Sequence, residues 1–205
     1  MTPPDVVVVP TGTANVASVL AGLRRAGAAP RIAAEAAEVV EAPGVVLPGV
    51  GALAAAMERL HTGGFVEVLR DRFLAGRPTL AICLGLQLLT EGSDESPGVE
   101  ALGVVTGRAS RFPGTVRVPQ MGWNQVEPGP GCRLLRPGWA YFANSYRLGT
   151  DPAGWNAAMT EYGGPFVAAL ERGPILACQF HPELSGSWGQ DLLTRWVDET
   201  RNGGA

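Results

Sequence analysis

Lysine is absent from this chain of 205 residues, and all 16 of its basic residues are arginine. That excludes Schiff-base chemistry by a lysine of this chain. Histidine is nearly absent too: only His61 and His181 are available for any imidazole-dependent step. Cys83, Cys132 and Cys178 are odd in number, and in a chain without secretory signs they read as reduced thiols rather than a disulfide framework. Cys178 and His181 have the C-x-x-H spacing of half a zinc site, but no second such pair completes it, so no metal is expected. No uninterrupted apolar run reaches the roughly 20 residues of a spanning helix. The start, Met1-Thr2-Pro3-Pro4-Asp5, has no basic n-region, so a soluble, cytoplasmic protein is expected. The net charge is −3 with both signs interspersed, which gives no footprint for nucleic acid or an anionic membrane.

What is present fits one well-buried α/β core, with residues 1–205 as a single domain and no repeat or long linker. Asp5 to Val9 is a short continuous apolar run of the kind found in sheets covered on both faces. Val16, Val19, Leu20 and Leu23 recur at helical spacing, and Gly27 is placed to end that helix. A second buried strand is expected at Val45 to Leu47, helices near Ala52 to Leu60 and Phe65 to Leu74, then a strand at Thr79 to Ile82 and a helix at Leu84 to Thr90. The expectation is a mostly parallel open sheet flanked by helices, with function at strand C-termini. From Gly98 to Pro174, prolines and glycines punctuate short segments. Thr115 to Val118, Trp139 to Tyr146 and Phe166 to Leu170 suggest a smaller antiparallel extension with hairpins. Leu192, Leu193, Trp196 and Val197 mark one face of a closing helix, and Asn202 to Ala205 is expected to fray.

The chemistry concentrates in two segments. Pro78-Thr79-Leu80-Ala81-Ile82-Cys83-Leu84-Gly85-Leu86-Gln87 delivers a cysteine into a small-residue turn ahead of a helix. At such a turn the sulfur faces unpaired N–H groups and the positive end of the macrodipole, which favour the thiolate. Ala81-x-Cys83-x-Gly85 is a cysteine version of the small-x-nucleophile-x-small elbow. The second segment, Ile175-Leu176-Ala177-Cys178-Gln179-Phe180-His181-Pro182-Glu183, supplies a base and a carboxylate to orient it. In an extended strand His181 and Glu183 would project to the same face. A third segment, Pro48-Gly49-Val50-Gly51, flanks Val50 with glycines that leave its peptide free to aim an N–H at a developing oxyanion. The amide of Leu84, just after the nucleophile, is the natural second donor. Together these point to acyl transfer in the order Cys83, His181, Glu183.

Each piece has a blander reading. A lone buried cysteine is usually a small core hydrophobe, a lone histidine a satisfied core residue, and Pro-Gly-Val-Gly a turn. Cys178 reads as a core residue on its strand and Cys132 as an inert loop thiol. The combination reverses the reading of Cys83, because His61, beside Thr62-Gly63-Gly64, fits a helix C-terminus and leaves His181 as the partner. Trp123, a large aromatic among glycine and polar residues in a segment of broken periodicity, reads equally as interface anchor and as core.

These residues resemble the class I glutamine amidotransferases, whose catalytic group is a Cys-His-Glu triad on a flavodoxin-like α/β fold. Within them the chain is similar to the glutaminase subunits of imidazole glycerol phosphate synthases, which act in histidine biosynthesis. The elbow and Phe180-His181-Pro182-Glu183 carry the broader resemblance. Val118-Pro119-Gln120-Met121-Gly122-Trp123-Asn124 and Tyr141-Phe142-Ala143-Asn144-Ser145-Tyr146 carry the narrower one. The resemblance implies that Cys83 attacks the glutamine amide, with His181 as acid and base and Glu183 orienting it. L-Glutamine would be held by Gln87, Glu95, Asn144, Ser145 and Tyr146, Glu95 facing the ammonium. It implies no cofactor, and as partner a cyclase subunit of (β/α)₈-barrel form. Asn15, Gln120, Met121, Gly122, Trp123, Asn124, Tyr141 and Leu184 would lie against that subunit.

Some positions depart from the family pattern. The loop Pro10 to Asn15 lacks the usual Gly-x-Gly-Asn form, Ala81 stands where glycine is usual, and Gln120 where histidine is frequent. Leu184 replaces a common lysine and so removes a charge from the expected docking surface. Other readings on the same residues are a glutaminase for a different ammonia acceptor, a silent regulatory relative, and a cysteine hydrolase of peptides or esters.

Overall fold

A computed structural model describes residues 2–12 and 15–202. Thr13 and Ala14 of the first loop, and all of the expected frayed end but its first residue, lie outside the described residues. The first part of the chain alternates strand and helix: β1 (Asp5–Val8), α1 (Val16–Arg25), β2 (Ala29–Ile32), α2 (Ala37–Glu41), β3 (Gly44–Gly49), α3 (Leu53–Thr62), α4 (Phe65–Leu74), β4 (Thr79–Cys83) and α5 (Leu84–Leu89). Strands then dominate: β5 (Gly92–Ser93), β6 (Arg108–Arg111), β7 (Gln120–Pro128), β8 (Gly138–Asn144), β9 (Tyr146–Arg147), β10 (Asn156–Glu161), β11 (Pro165–Arg172) and β12 (Ile175–Cys178). A 3₁₀ turn, Pro182–Leu184, and the closing helix α6 (Gly186–Asn202) complete the described chain.

Nine strands form one sheet in the order β2-β1-β3-β4-β12-β11-β10-β7-β8. The first five are mutually parallel, and the remaining pairs are antiparallel. The extension is therefore continuous with the parallel half. A small separate sheet runs β5-β6-β9. Alternation from Val6 to Val9 shows why this run is apolar throughout. Val7 and Val9 belong to an apolar layer with Leu60, Leu69 and Phe73 of α3 and α4, while Val6 and Val8 face a second layer with Leu23 of α1 and Trp196 of α6. Both faces are covered, so neither can carry polar side chains.

The second layer continues under the antiparallel half as a file of edge-to-face rings. Phe112–Phe166, Phe166–Phe142, Phe142–Phe180 and Phe180–Trp188 have centroids 5.3, 5.9, 5.7 and 5.4 Å apart. Pairs of this geometry add about 1 kcal/mol each beyond their buried area. They also fix Phe180, and with it the position of the next residue, His181.

Two expectations differ from the structure. Thr115 to Val118 is turn and irregular chain, and the Arg117 carbonyl accepts the Tyr162 hydroxyl at 2.7 Å rather than joining a ladder. The segment around Trp123 has a regular period after all, because it is β7. Its pattern is inverted: Met121 and Trp123 are on the exposed face while Gln120 is buried.

Candidate active site

Cys83 is the last residue of β4, paired with Gly49 of β3, and α5 begins at the next residue. Its backbone lies at φ 56°, ψ −108°, and it is the one non-glycine with positive φ among the described residues. Such a conformation costs on the order of 1–3 kcal/mol and persists only where packing dictates it. The packing here is specific. A Cβ on Gly85 would lie 2.1 Å from the Leu47 carbonyl oxygen, and one on Gly49 would lie 2.9 Å from Leu84 Cβ. The glycines let α5 approach the strand floor closely enough to force the turn, and Ala81 beside it is fully buried.

His181 arrives from β12, which lies beside β4 with Cys178 opposite Ile82. Its N–H donates to Tyr141 O at 2.9 Å. Nδ1 meets Glu183 Oε1 at 2.8 Å, both side chains being almost fully buried. The two do not meet along an extended strand as their spacing predicts. Pro182 opens a 3₁₀ turn after His181, and that turn folds Glu183 back onto the ring. Ser185 locks it, donating its hydroxyl to His181 O at 2.6 Å and accepting the Tyr141 N–H at 2.9 Å.

Burial opposes charge on the imidazole, but hydrogen bonding and attraction from Cys83 and Glu183 more than offset it, and the His181 pKa is pushed up to about 10. The ring is thereby favoured as an imidazolium between the Cys83 sulfur and the Glu183 carboxylate. Because this value lies above the ordinary 6.5, the stability that the charged ring contributes is fully present below about pH 6.5 and is lost as pH rises through about 10. The gap in unfolding free energy between wild type and His181→Gln should therefore narrow from pH 6 to pH 10. Urea melts across that range check it, and a constant gap would contradict the ion pair.

A cavity of about 280 Å³ opens in front of Cys83, between Val50–Ala52, Leu84, Gln87, Glu95 and Ala143–Tyr146. All five residues expected to hold substrate line it: Gln87, Glu95, Asn144, Ser145 and Tyr146. Val50, Gly51 and Leu84 line it too, whereas Gly49 stays within its strand. Gln87 and Asn144 both donate side-chain N–H groups to Tyr146 O, at 3.3 and 3.0 Å. Glu95 has a second task that the sequence did not suggest. Its Oε2 accepts the Leu53 N–H at 3.1 Å, and Ser96 Oγ accepts that of Ala54 at 3.2 Å, so the two cap α3 in place of Ala52.

Of the residues expected at a partner surface, those on β7 and β8 divide between the two faces of that hairpin, while Leu184 lies in the 3₁₀ turn and Asn15 before α1. Met121, Trp123 and Leu184 are 68, 53 and 40 % exposed, and Trp123 meets Tyr141 edge-on at 6.2 Å. Trp139, not singled out above, adds 57 % exposure beside them on β8. Gln120 is on the other side, buried opposite Asn144. Gly122 is half-buried, and Asn124 donates to Glu161 O at 2.8 Å. Asn15 caps α1 through Ser18 N at 3.4 Å.

Gln179 was also missed. It is fully buried, and its Nε2 lies 3.8 Å from Cys83 Sγ. A single polar side chain inside the apolar run Ile175 to Phe180 was the available signal. Among the described residues no three His, Cys, Asp or Glu side chains gather into a group that could hold a metal. Cys178 is buried on β12, and burial pushes its thiol pKa well up. No described helix is long and apolar enough to cross a membrane.

A cysteine on a strained elbow, an imidazolium oriented by a carboxylate and a polar cavity in front of the sulfur form an arrangement able to transfer an acyl group through a thioester. The family described as glutamine amidotransferase class-I matches residues 7–199. This chain belongs to the class I glutamine amidotransferases. It is 43% identical over 202 residues to the imidazole glycerol phosphate synthase subunit HisH of Deinococcus radiodurans, covering 96% of this chain and 94% of that protein. The subunit of the same name from Symbiobacterium thermophilum is 40% identical, over 93% of this amidotransferase and 92% of the relative. Among solved structures, one described as a glutamine amidotransferase superposes with a TM-score of 0.76 at 18% identity, covering 95% of this chain and 98% of its own. The PurLQS structure from Thermotoga maritima gives a TM-score of 0.73 at 14% identity, covering 98% and 99%. At those identities the structures speak for the fold alone.

Proposed function

We propose that this amidotransferase is the glutaminase subunit of an imidazole glycerol phosphate synthase, hydrolysing L-glutamine and passing ammonia to a cyclase subunit in histidine biosynthesis. The reading is carried by one observation: the strained Cys83 turn, the His181–Glu183 pair and the cavity lined by Gln87, Glu95 and Asn144–Tyr146 converge in a chain 43% identical to a HisH subunit. The cavity suits a zwitterionic amino acid, with the Glu95 carboxylate available to an ammonium and amide and hydroxyl donors available to a carboxylate.

In the proposed cycle the Cys83 thiolate attacks Cδ of the glutamine side chain. The negative charge moves to the amide oxygen, which the N–H groups of Leu84 and Val50 stabilise. His181 gives its proton to the leaving nitrogen, the C–N bond breaks, and ammonia departs from a thioester. Water then attacks the thioester, His181 takes its proton, and glutamate leaves as the thiolate reforms. Glu183 holds the ring throughout. The exposed Met121, Trp123, Trp139 and Leu184, with the half-buried Tyr141 against Trp123, form the surface on which the cyclase would sit, with aromatic anchors of the kind that dominate interface energetics. Leu184, 40 % exposed, makes that contact apolar.

Ammonia release from glutamine tests the reading. It should be weak for the chain alone and rise at least about tenfold with the matching cyclase and its substrate or a product analogue. If no cyclase stimulates it, the pathway assignment falls, and only the Cys83-dependent amidotransferase chemistry remains.

A further inference from the structure

The polar side chains behind Cys83 form a directed chain whose last member is Gln179. Its direction follows from what each atom can do. The Tyr146 carbonyl can only accept, so the side-chain nitrogens of Asn144 and Gln87 must face it, at 3.0 and 3.3 Å. The same Gln87 nitrogen donates a second N–H to Gln179 Oε1 at 3.2 Å. With its oxygen committed to Gln87, Gln179 must turn its nitrogen to the sulfur of Cys83, 3.8 Å away. Flipping the Gln179 carboxamide would oppose two donors at one end and place an oxygen against the sulfur at the other.

The sulfur therefore stands between two opposed preferences. As a thiol it can donate to Ala143 O at 4.0 Å. As a thiolate it can only accept, and Gln179 Nε2–H is a donor fixed in advance to receive it. A fully buried carboxamide in an otherwise apolar strand end costs desolvation that an apolar residue of similar size would not. What it supplies in return is a donor at the nucleophile.

We propose that Gln179 is a positioning residue for the nucleophile: its N–H holds the Cys83 sulfur as the thiolate and ties it, through Gln87, to the wall of the substrate cavity. For its effect on turnover the proposal rests on the glutaminase reading, but for its effect on the thiol it does not.

The test compares wild type with Gln179→Met, which keeps the volume and removes the donor, and Gln179→Glu, which puts an oxygen where the N–H was. Cys83 alkylation by iodoacetamide is followed against pH, with Cys83→Ala to subtract other thiols, and kcat and KM for glutamine are measured with the cyclase bound. In Gln179→Met, alkylation at pH 7 should slow about tenfold, its profile should move to higher pH, and kcat should fall while KM stays within about threefold. Gln179→Glu should be slower still. A purely structural role would lower the melting temperature without moving the alkylation profile.

A folded Gln179→Met protein with the wild-type profile overturns the proposal. Failure of both variants to fold overturns it as well, because it assigns the carboxamide to the core. If the alkylation profile moves but no cyclase elicits ammonia release even from wild type, the role at the thiol stands and the glutaminase reading is what fails.

Discussion

Replacing Cys83 by alanine or by glycine abolishes glutamine-dependent ammonia release, a loss of at least roughly 10⁴-fold, since a missing nucleophile leaves only what binding and oxyanion donors contribute. The two variants differ in stability, and the difference reports on the turn. At φ 56°, ψ −108° alanine keeps a Cβ in the strained region, whereas glycine adopts it without penalty. Cys83→Gly should therefore be more stable than Cys83→Ala by about 1 kcal/mol, even after the larger chain entropy that glycine brings to the unfolded state. In most strands the same comparison favours alanine. Urea melts of the two inactive proteins decide the matter: alanine more stable than glycine would mean that residue 83 is not strained in solution. Equal activity of wild type and Cys83→Ala would remove the thioester mechanism altogether.

The strain explains why so much of the site could be read from sequence. Gly49 and Gly85 are small because the backbone approaches closely there, and Gly51 because the turn after Val50 needs a positive φ. β1, β3, β4 and β12 are largely apolar runs because both faces are covered, and they too were legible, whereas the edge strand β2, Ala29-Pro30-Arg31-Ile32 and mostly exposed, has no such run and was not. Legibility failed where a side chain serves two surfaces or where polarity is inverted. Gln120 is buried and Trp123 exposed on the same strand, so the alternation of β7 carried the wrong sign for a solvent-facing hairpin. The His181–Glu183 contact was anticipated from spacing but is made by a 3₁₀ turn, because Pro182 starts such a turn as readily as it ends a strand. Glu95 as a cap for α3 depends on a contact 42 residues away in sequence. Gln179 depends on the register of β12 against β4, and local pattern encodes neither.

The second large effect comes from backbone crowding rather than from a titratable group. Gly85→Ala should destabilise the protein by more than about 4 kcal/mol, a large part of the roughly 5–15 kcal/mol that holds a domain together. The added Cβ would sit 2.1 Å from the Leu47 carbonyl oxygen and 3.2 Å from its carbon. Neither atom can yield alone. Leu47 is paired with Ala81 in the centre of the sheet, so moving its carbonyl disturbs the β3–β4 ladder, and the alternative is to lift α5 off the strand floor. Gly76 is the control. Its φ of +68° also disfavours a side chain, but nothing lies within 4 Å of the added carbon, so Gly76→Ala should cost only about 1 kcal/mol. Chemical melts of both variants separate crowding from conformational preference. If Gly85→Ala melts with Gly76→Ala, the close approach of α5 is not what holds the elbow. If Gly85→Ala instead stays folded but inactive, the site has yielded before the sheet, because lifting α5 carries the Leu84 amide and Cys83 away from the Val50 loop.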